Sequence, residues 1–250
     1  MRRLTFTYSG TSRLIGRYRR VAVLLVATLL FMVGLAATPA QAATSPVVVS
    51  LTFDNEWANQ MTAAQAMHAA GMPGTFYVIS GWIGTSNFMS MSDLQTLVSW
   101  GDEIGGKTVD NTDLTAVTSA EAQRETCLGR DVLMGDGFTV TNFAYPFSNV
   151  NSTAESVVKT CGMNSGRDVG NINSLERGGC RFPDCPYAET IPPADPYDIR
   201  TPGAITTTHT VSNVENEISQ AVNHGGGWLV YTFHHICVQG TSGCDPVYAW

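Results

Sequence analysis

VVVSLTFDNEW, residues 47–57, is the stretch on which the fold turns. A short run of β-branched and apolar residues without helical spacing reads as a buried strand of a parallel sheet. The run ends in an acid, Asp54, followed by the neutral amide Asn55. The strand therefore delivers a carboxylate to its C-terminal end, where α/β folds gather their functional groups.

Outward from this strand, apolar runs alternate with segments of helical period. A helix is expected over about Trp57–Ala70, with Met61 and Met67 on its buried side, stopped by Gly71 and Pro73. TFYVI (75–79) reads as the next strand and MSDLQTLVSW (91–100) as a helix capped by Ser92. DEIGGKT (102–108) brings the chain back to the layer of strand tips. A longer helix over Ser119–Met134 leads to FTVTNFAYPF (138–147), and NSTAESVVKTC (151–161) gives a short capped helix. The Pro-, Gly- and Cys-rich stretch 170–204 reads as an ordered excursion. An amphipathic segment (209–224) and a final strand, GGGWLVYTFHH (225–235), complete the pattern. Such alternation predicts a parallel sheet or barrel with its loops clustered at one end.

The N-terminus has a different character. Residues 1–20 carry six arginines and no acid, 21–37 are apolar, and Ala40-Gln41-Ala42 has the small-x-small form of a cleavage site. Residues 1–42 therefore read as a secretory signal peptide, which makes the protein exported and frees it from the membrane after cleavage. Residues 43–250 remain, enough for one domain with a full core. They hold eight basic against 21 acidic residues, a net charge near −13. That balance excludes nucleic acid as a natural partner and suits neutral or cationic ligands, including most polysaccharides. The six cysteines of an exported chain indicate disulfides. Cys180 with Cys185 and Cys237 with Cys244 would close short loops, leaving Cys127 with Cys161, although spacing alone leaves the connectivity open.

LTFDNEW, EIGGKTVDNTDL, FAYPF and WLVYTFHHI, in this order and spacing, resemble the polysaccharide deacetylase family, carbohydrate esterase family 4. The resemblance implies a distorted (β/α) barrel of about seven parallel strands, in a single domain. It implies a zinc-dependent hydrolase that removes N- or O-acetyl groups from acetylated glycans such as chitin oligomers, peptidoglycan or acetylxylan. Asp54 falls at the position of the general base, and His234 at that of the general acid. The backbone N–H of Phe147, after Pro146, matches the donor that holds the oxyanion. Tyr145, Pro146, His235 and Arg200 are the expected substrate-binding positions; Arg200 aligns only loosely with a group near Asp54, and the family's Asp-Trp pair is missing there, which favours a solvated arginine.

The metal positions depart from the family pattern. A second Asp and two histidines are expected as ligands, and this chain has Asn55, Lys107 and Asn111. A protonated lysine cannot ligate and repels a cation, and neutral amide oxygens are poor partners for zinc. No ordinary zinc site is expected. Glu56 and Asp110 flank the substituted positions and offer oxygens to a harder cation, but strand alternation turns Glu56 to the opposite face. The loss is large for Asp54. Zinc lowers the pKa of bound water from about 15.7 to about 7, which is worth on the order of 12 kcal/mol to a carboxylate base.

Two readings follow. Either the chain hydrolyses acetyl groups with Asp54 and His234, or it is a catalytically impaired relative that binds acetylated glycan without cleaving it. An ion pair between Asp54 and Lys107 is the expectation that accompanies the second. Trp82, Trp228, Tyr187 and Tyr197 are candidates for a sugar-stacking cleft, with Trp228 better suited to the core. His68, His209 and His224 read as surface or helix-end residues. The sequence assigns no oligomeric state.

Overall fold

The aromatic pattern of three neighbouring strands sets the frame. In the computed structural model, which describes residues 46–174, 179–180 and 185–250, β1 (Val47–Asp54) lies between β2 (Thr75–Val78) and β7 (Gly227–Phe233). Phe53 pairs in register with Phe76 on β2 and with Phe233 on β7. The Phe53 ring stacks on both, at 4.7 and 5.3 Å between centroids. Truncating one such buried ring to alanine typically costs about 3–5 kcal/mol. Because side chains alternate across a strand, Phe53 on the packed face leaves Asp54 on the other.

The remaining strands extend the sheet in the order β6-β5-β4-β3-β2-β1-β7, all parallel. They are β3 (Glu103–Gly106), β4 (Asn142–Ala144), β5 (Ser165–Asn171) and β6 (Ile199–Thr201). Past β6 the Ile205 amide donates to Thr232 O of β7 at 2.9 Å, nearly closing the sheet into a distorted (β/α) barrel. At β3, a Cβ on Gly105 would lie 2.5 Å from the Tyr77 ring, so that ring requires a glycine beside it.

Among the described residues five α-helices are interleaved: α1 (Met61–Ala69), α2 (Met91–Trp100), α3 (Ser119–Gly135), α4 (Ser152–Thr160) and α5 (Val211–Asn223). Four of them, α2 to α5, begin at an N-cap side chain that satisfies a free amide of the first turn. Ser90, rather than Ser92, caps α2, in a reciprocal box with Asp93. Thr118 caps α3, Asn151 caps α4 and Thr210 caps α5. The N-terminal turn of the first expected helix is instead a short 3-10 segment, Ala58–Gln60.

All three disulfides form as the loop spacing suggests: Cys127–Cys161, Cys180–Cys185 and Cys237–Cys244. The first joins α3 to the residue that ends α4. The stretch expected as one excursion contains two strand segments, the end of β5 and all of β6. His209, expected at the surface, is buried. The proposed signal peptide, 1–42, lies outside the described residues. Among the described residues, no helix is long and apolar enough to cross a membrane.

Candidate active site

Asp54 ends β1 and is 1% exposed. The chain turns sharply after it, with Asn55 and Glu56 at φ 69° and 32°. Asparagine tolerates this left-handed region better than most residues, glutamate less well. The turn is held from both sides. The Asn55 amide donates to Tyr77 O at 3.0 Å, and Glu56 Oε2 accepts the Ile79 amide at 2.8 Å. Glu56 lies outside the cleft lining, as expected, but the left-handed turn after the strand, rather than strand alternation, takes it there, and burial pushes its carboxyl well up, toward the neutral form. From the 3-10 segment, buried Gln60 donates its side-chain amide to Asp54 O and His234 O, each at 2.7 Å. One side chain therefore clamps the tips of β1 and β7 and fixes Asp54 relative to His234.

The chain after β3 supplies Lys107, 4% exposed, whose Nζ donates to Asp54 Oδ2 at 2.8 Å. The loop beyond it takes left-handed turns at Thr108 and Asn111. Glu125 of α3 holds this loop by accepting the Val109 and Asp110 amides at 3.1 and 3.0 Å. Gly129, one turn further along α3, lets the helix approach the Thr108 backbone, which a Cβ would meet at 2.9 Å. Lys107 is thus positioned by a helix four turns long.

A second cation reaches Asp54 from β5. Arg167, 2% exposed, donates Nη2 to Asp54 Oδ1, and its guanidinium lies 4.6 Å over the Tyr77 ring. Sequence reasoning did not find Arg167. Arg200, expected near Asp54, lies on β6 and pairs with Glu189 through two bonds of 2.8 Å. The guanidinium beside the acid comes from the neighbouring strand instead.

Burial alone would raise the Asp54 pKa, but Arg167 and Lys107 outweigh it and hold the carboxyl far below the usual range. Burial pulls Lys107 down, Asp54 pulls it back, and Arg167 adds to the fall. His234, just past β7, is pushed down to about 4, first by burial and then by Lys107 and Arg167 against the attraction of Asp54. Its imidazole is therefore neutral at pH 7.

These groups line one cleft of about 390 Å³. Asp54, Asn55, Lys107, Asn111, His234 and His235 are brought together there, with Phe147 at the edge. Phe147 is 66% exposed and left-handed at φ 60°, within the short turn Pro146–Ser148. Tyr145 and Pro146 are buried outside the lining, and the Tyr145 hydroxyl donates to Tyr197 O at 2.7 Å. Of the aromatic residues expected to stack on sugar, none lines the cleft. Trp228 donates to Ser50 Oγ at 3.0 Å, Tyr187 stacks on His224 and Trp82 packs on Phe88. Trp57, its ring tilted by 31° against that of His235 at 4.1 Å, and Tyr248 take that place.

The three positions that resemblance assigns to metal ligands carry an amide, an ammonium and an amide. The ammonium is bonded to the very carboxylate that would act on metal-bound water. This donor set does not fit zinc. Among the described residues, no three of His, Cys, Asp and Glu are grouped to hold a metal ion.

With this geometry in view, the relatives are informative. The family described as polysaccharide deacetylase matches residues 41–166, half of the chain, and the chain belongs to it. Among curated proteins, none matches. Among solved structures, the Streptococcus pyogenes deacetylase PplD, in complex with acetate, aligns with TM-score 0.53 and 17% identity over 68% of this chain and 70% of that one. A polysaccharide deacetylase from Bacillus cereus aligns with TM-score 0.54 and 19% identity over 67% of this chain, but only 50% of its own. A de-N-acetylase from Aggregatibacter actinomycetemcomitans gives 0.51 and 14% over 67% and 74%. At these identities the likeness concerns the fold.

Proposed function

We propose that this chain is a glycan-binding member of its family, one that holds acetylated polysaccharide in the cleft without metal-dependent hydrolysis. The observation that carries the reading is the Lys107–Asp54 ion pair at the point where the family's metal chemistry would occur. The base is engaged by two cations, and the acid, His234, is unprotonated at neutral pH. The protein acts outside the cell, residues 1–42 being a removable signal peptide and 43–250 the glycan-handling domain. Its three disulfides support an oxidising compartment.

The convergence of Asp54, His234 and Phe147 on one cleft favours a second reading, residual hydrolysis of N- or O-acetyl groups. In it Asp54 is the base, His234 the acid and the Phe147 N–H the oxyanion donor. Acetate release from chitin oligomers and acetylated xylan, measured with added zinc and with chelator beside binding calorimetry, separates the two. Binding without acetate supports the first reading. Zinc-dependent release overturns it.

A further inference from the structure

We propose that the cleft selects glycans bearing a free, protonated amino group, and that Asp245 is the residue that reads it. The inference rests on the glycan-binding reading and names the class of sugar. Asp245 lines the cleft from the position immediately after Cys244, whose disulfide to Cys237 closes the preceding loop. Its Oδ1 accepts the Val247 and Tyr248 amides, both at 2.7 Å, which fixes the carboxylate. Its Oδ2 has no hydrogen-bond donor among the described residues. The segment that follows is itself anchored, since His235 N donates to Tyr248 O and Trp250 N to His235 O, each at 3.0 Å.

The charge inventory of the cleft gives this carboxylate its meaning. Asp54 is bonded to both Lys107 and Arg167, a buried trio of net charge +1 whose three charges are engaged with one another, with Arg167 outside the lining. His234 and His235 are both pushed down by burial, so neither brings a positive charge at neutral pH. Asp245 is thus the charge that a ligand meets on the wall. Asn55 Oδ1 and Asn111 Oδ1, in residues of the lining, are buried without hydrogen-bond partners, so neither presents a charge. The carboxylate on the wall accordingly asks for one cation with hydrogens to donate, which an ammonium supplies. A domain with net charge near −13 also draws such a ligand in. A partly de-N-acetylated amino-sugar polymer has this chemistry; a fully acetylated one lacks the cation.

The test is calorimetric titration of the full chain with a glucosamine trimer and with an N-acetylglucosamine trimer, for wild type and Asp245→Asn, at low and high salt. The asparagine keeps Oδ1 for the two loop amides and replaces the free oxygen with a donor. Wild type should favour the amine-bearing trimer, less so at high salt. In Asp245→Asn the ratio of the two affinities should fall about tenfold or more, the loss of one charge-assisted hydrogen bond. Equal affinities in wild type, or a preference that survives the substitution, overturn the inference alone. Failure to bind either trimer overturns the glycan reading as well.

Discussion

Removing Asp54 and removing Lys107 should have very different costs, although the two form one ion pair. The buried trio holds one carboxylate between two cations, a net charge of +1. Asp54→Asn keeps the shape and leaves Lys107 and Arg167 facing each other without a counter-charge. Breaking a buried pair in this way costs about 3–5 kcal/mol. At about 2–4 °C per kcal/mol for a domain of this size, the melting temperature should fall on the order of 10 °C. Lys107→Met removes the surplus cation, keeps an apolar stem and leaves a one-to-one Asp54–Arg167 pair. Its cost should be about 1 kcal/mol or less. Denaturant unfolding at pH 7, disulfides intact, measures both.

The pH dependence gives an independent reading of the same trio. The folded-state pKa of Asp54 is depressed, so its stabilisation is complete above about pH 4 and is lost as pH falls further. Asp54→Asn lacks that acid-side loss. In the same variant Lys107 has lost the group that most strongly held its proton, so its folded-state pKa lies well below the unfolded value of about 10.4. Between those two values the unfolded chain binds the extra proton, and stability of the variant should rise with pH. A Lys107→Met variant as unstable as Asp54→Asn would refute the reasoning, because Arg167 would then be an insufficient partner on its own.

Asn55→Asp, Lys107→His and Asn111→His combined should bind one equivalent of zinc by calorimetry, and acetate release should appear from near zero; zinc binding by the unaltered chain would contradict the ligand argument. His234 should titrate by NMR near 4, and because the unfolded imidazole binds its proton first, acidification from pH 6.5 to 4 should cost about 3 kcal/mol that a His234→Gln variant does not lose. Arg200→Met should destabilise the fold by about 3 kcal/mol, since it strands the buried Glu189 carboxylate, while leaving glycan affinity at the wild-type value. Glu189, held at about 2 by Arg200 and backbone amides against the raising effect of burial, should make the wild-type advantage over that variant fade only below pH 4.

The parts of the barrel that were legible are those whose residues are apolar along their length. β1, β2 and β7 show themselves as VVVSLTF, TFYV and GWLVYTF, and the capped helices by their period. β5, SGRDVGN, carries no such signal: glycines, a serine and two charges give no reason to read a strand. Yet its residues are mostly buried, because Gly166 lies against Tyr145 and Arg167 spends its charge on Asp54. Missing β5 meant missing Arg167, and the guanidinium was sought on the next strand, where Arg200 serves Glu189. The Asp54–Lys107 pair was readable because both residues sit in ordered motifs of known relation. Gln60 was not, since a glutamine inside a helical pattern looks like any solvated side chain until its two carbonyl partners are known. Asp245 and Tyr248 reach the cleft from the segment after a disulfide-closed loop, a placement that tertiary structure alone decides.

The lysine at the end of β3 also changes what the site depends on. A bound metal is a ligand, and its occupancy follows the concentration of the free ion; dilution or a chelator empties it. Lys107 is joined to the backbone, so the cation beside Asp54 is present in every folded molecule at full occupancy. The domain arrives at its folded shape with that charge already installed.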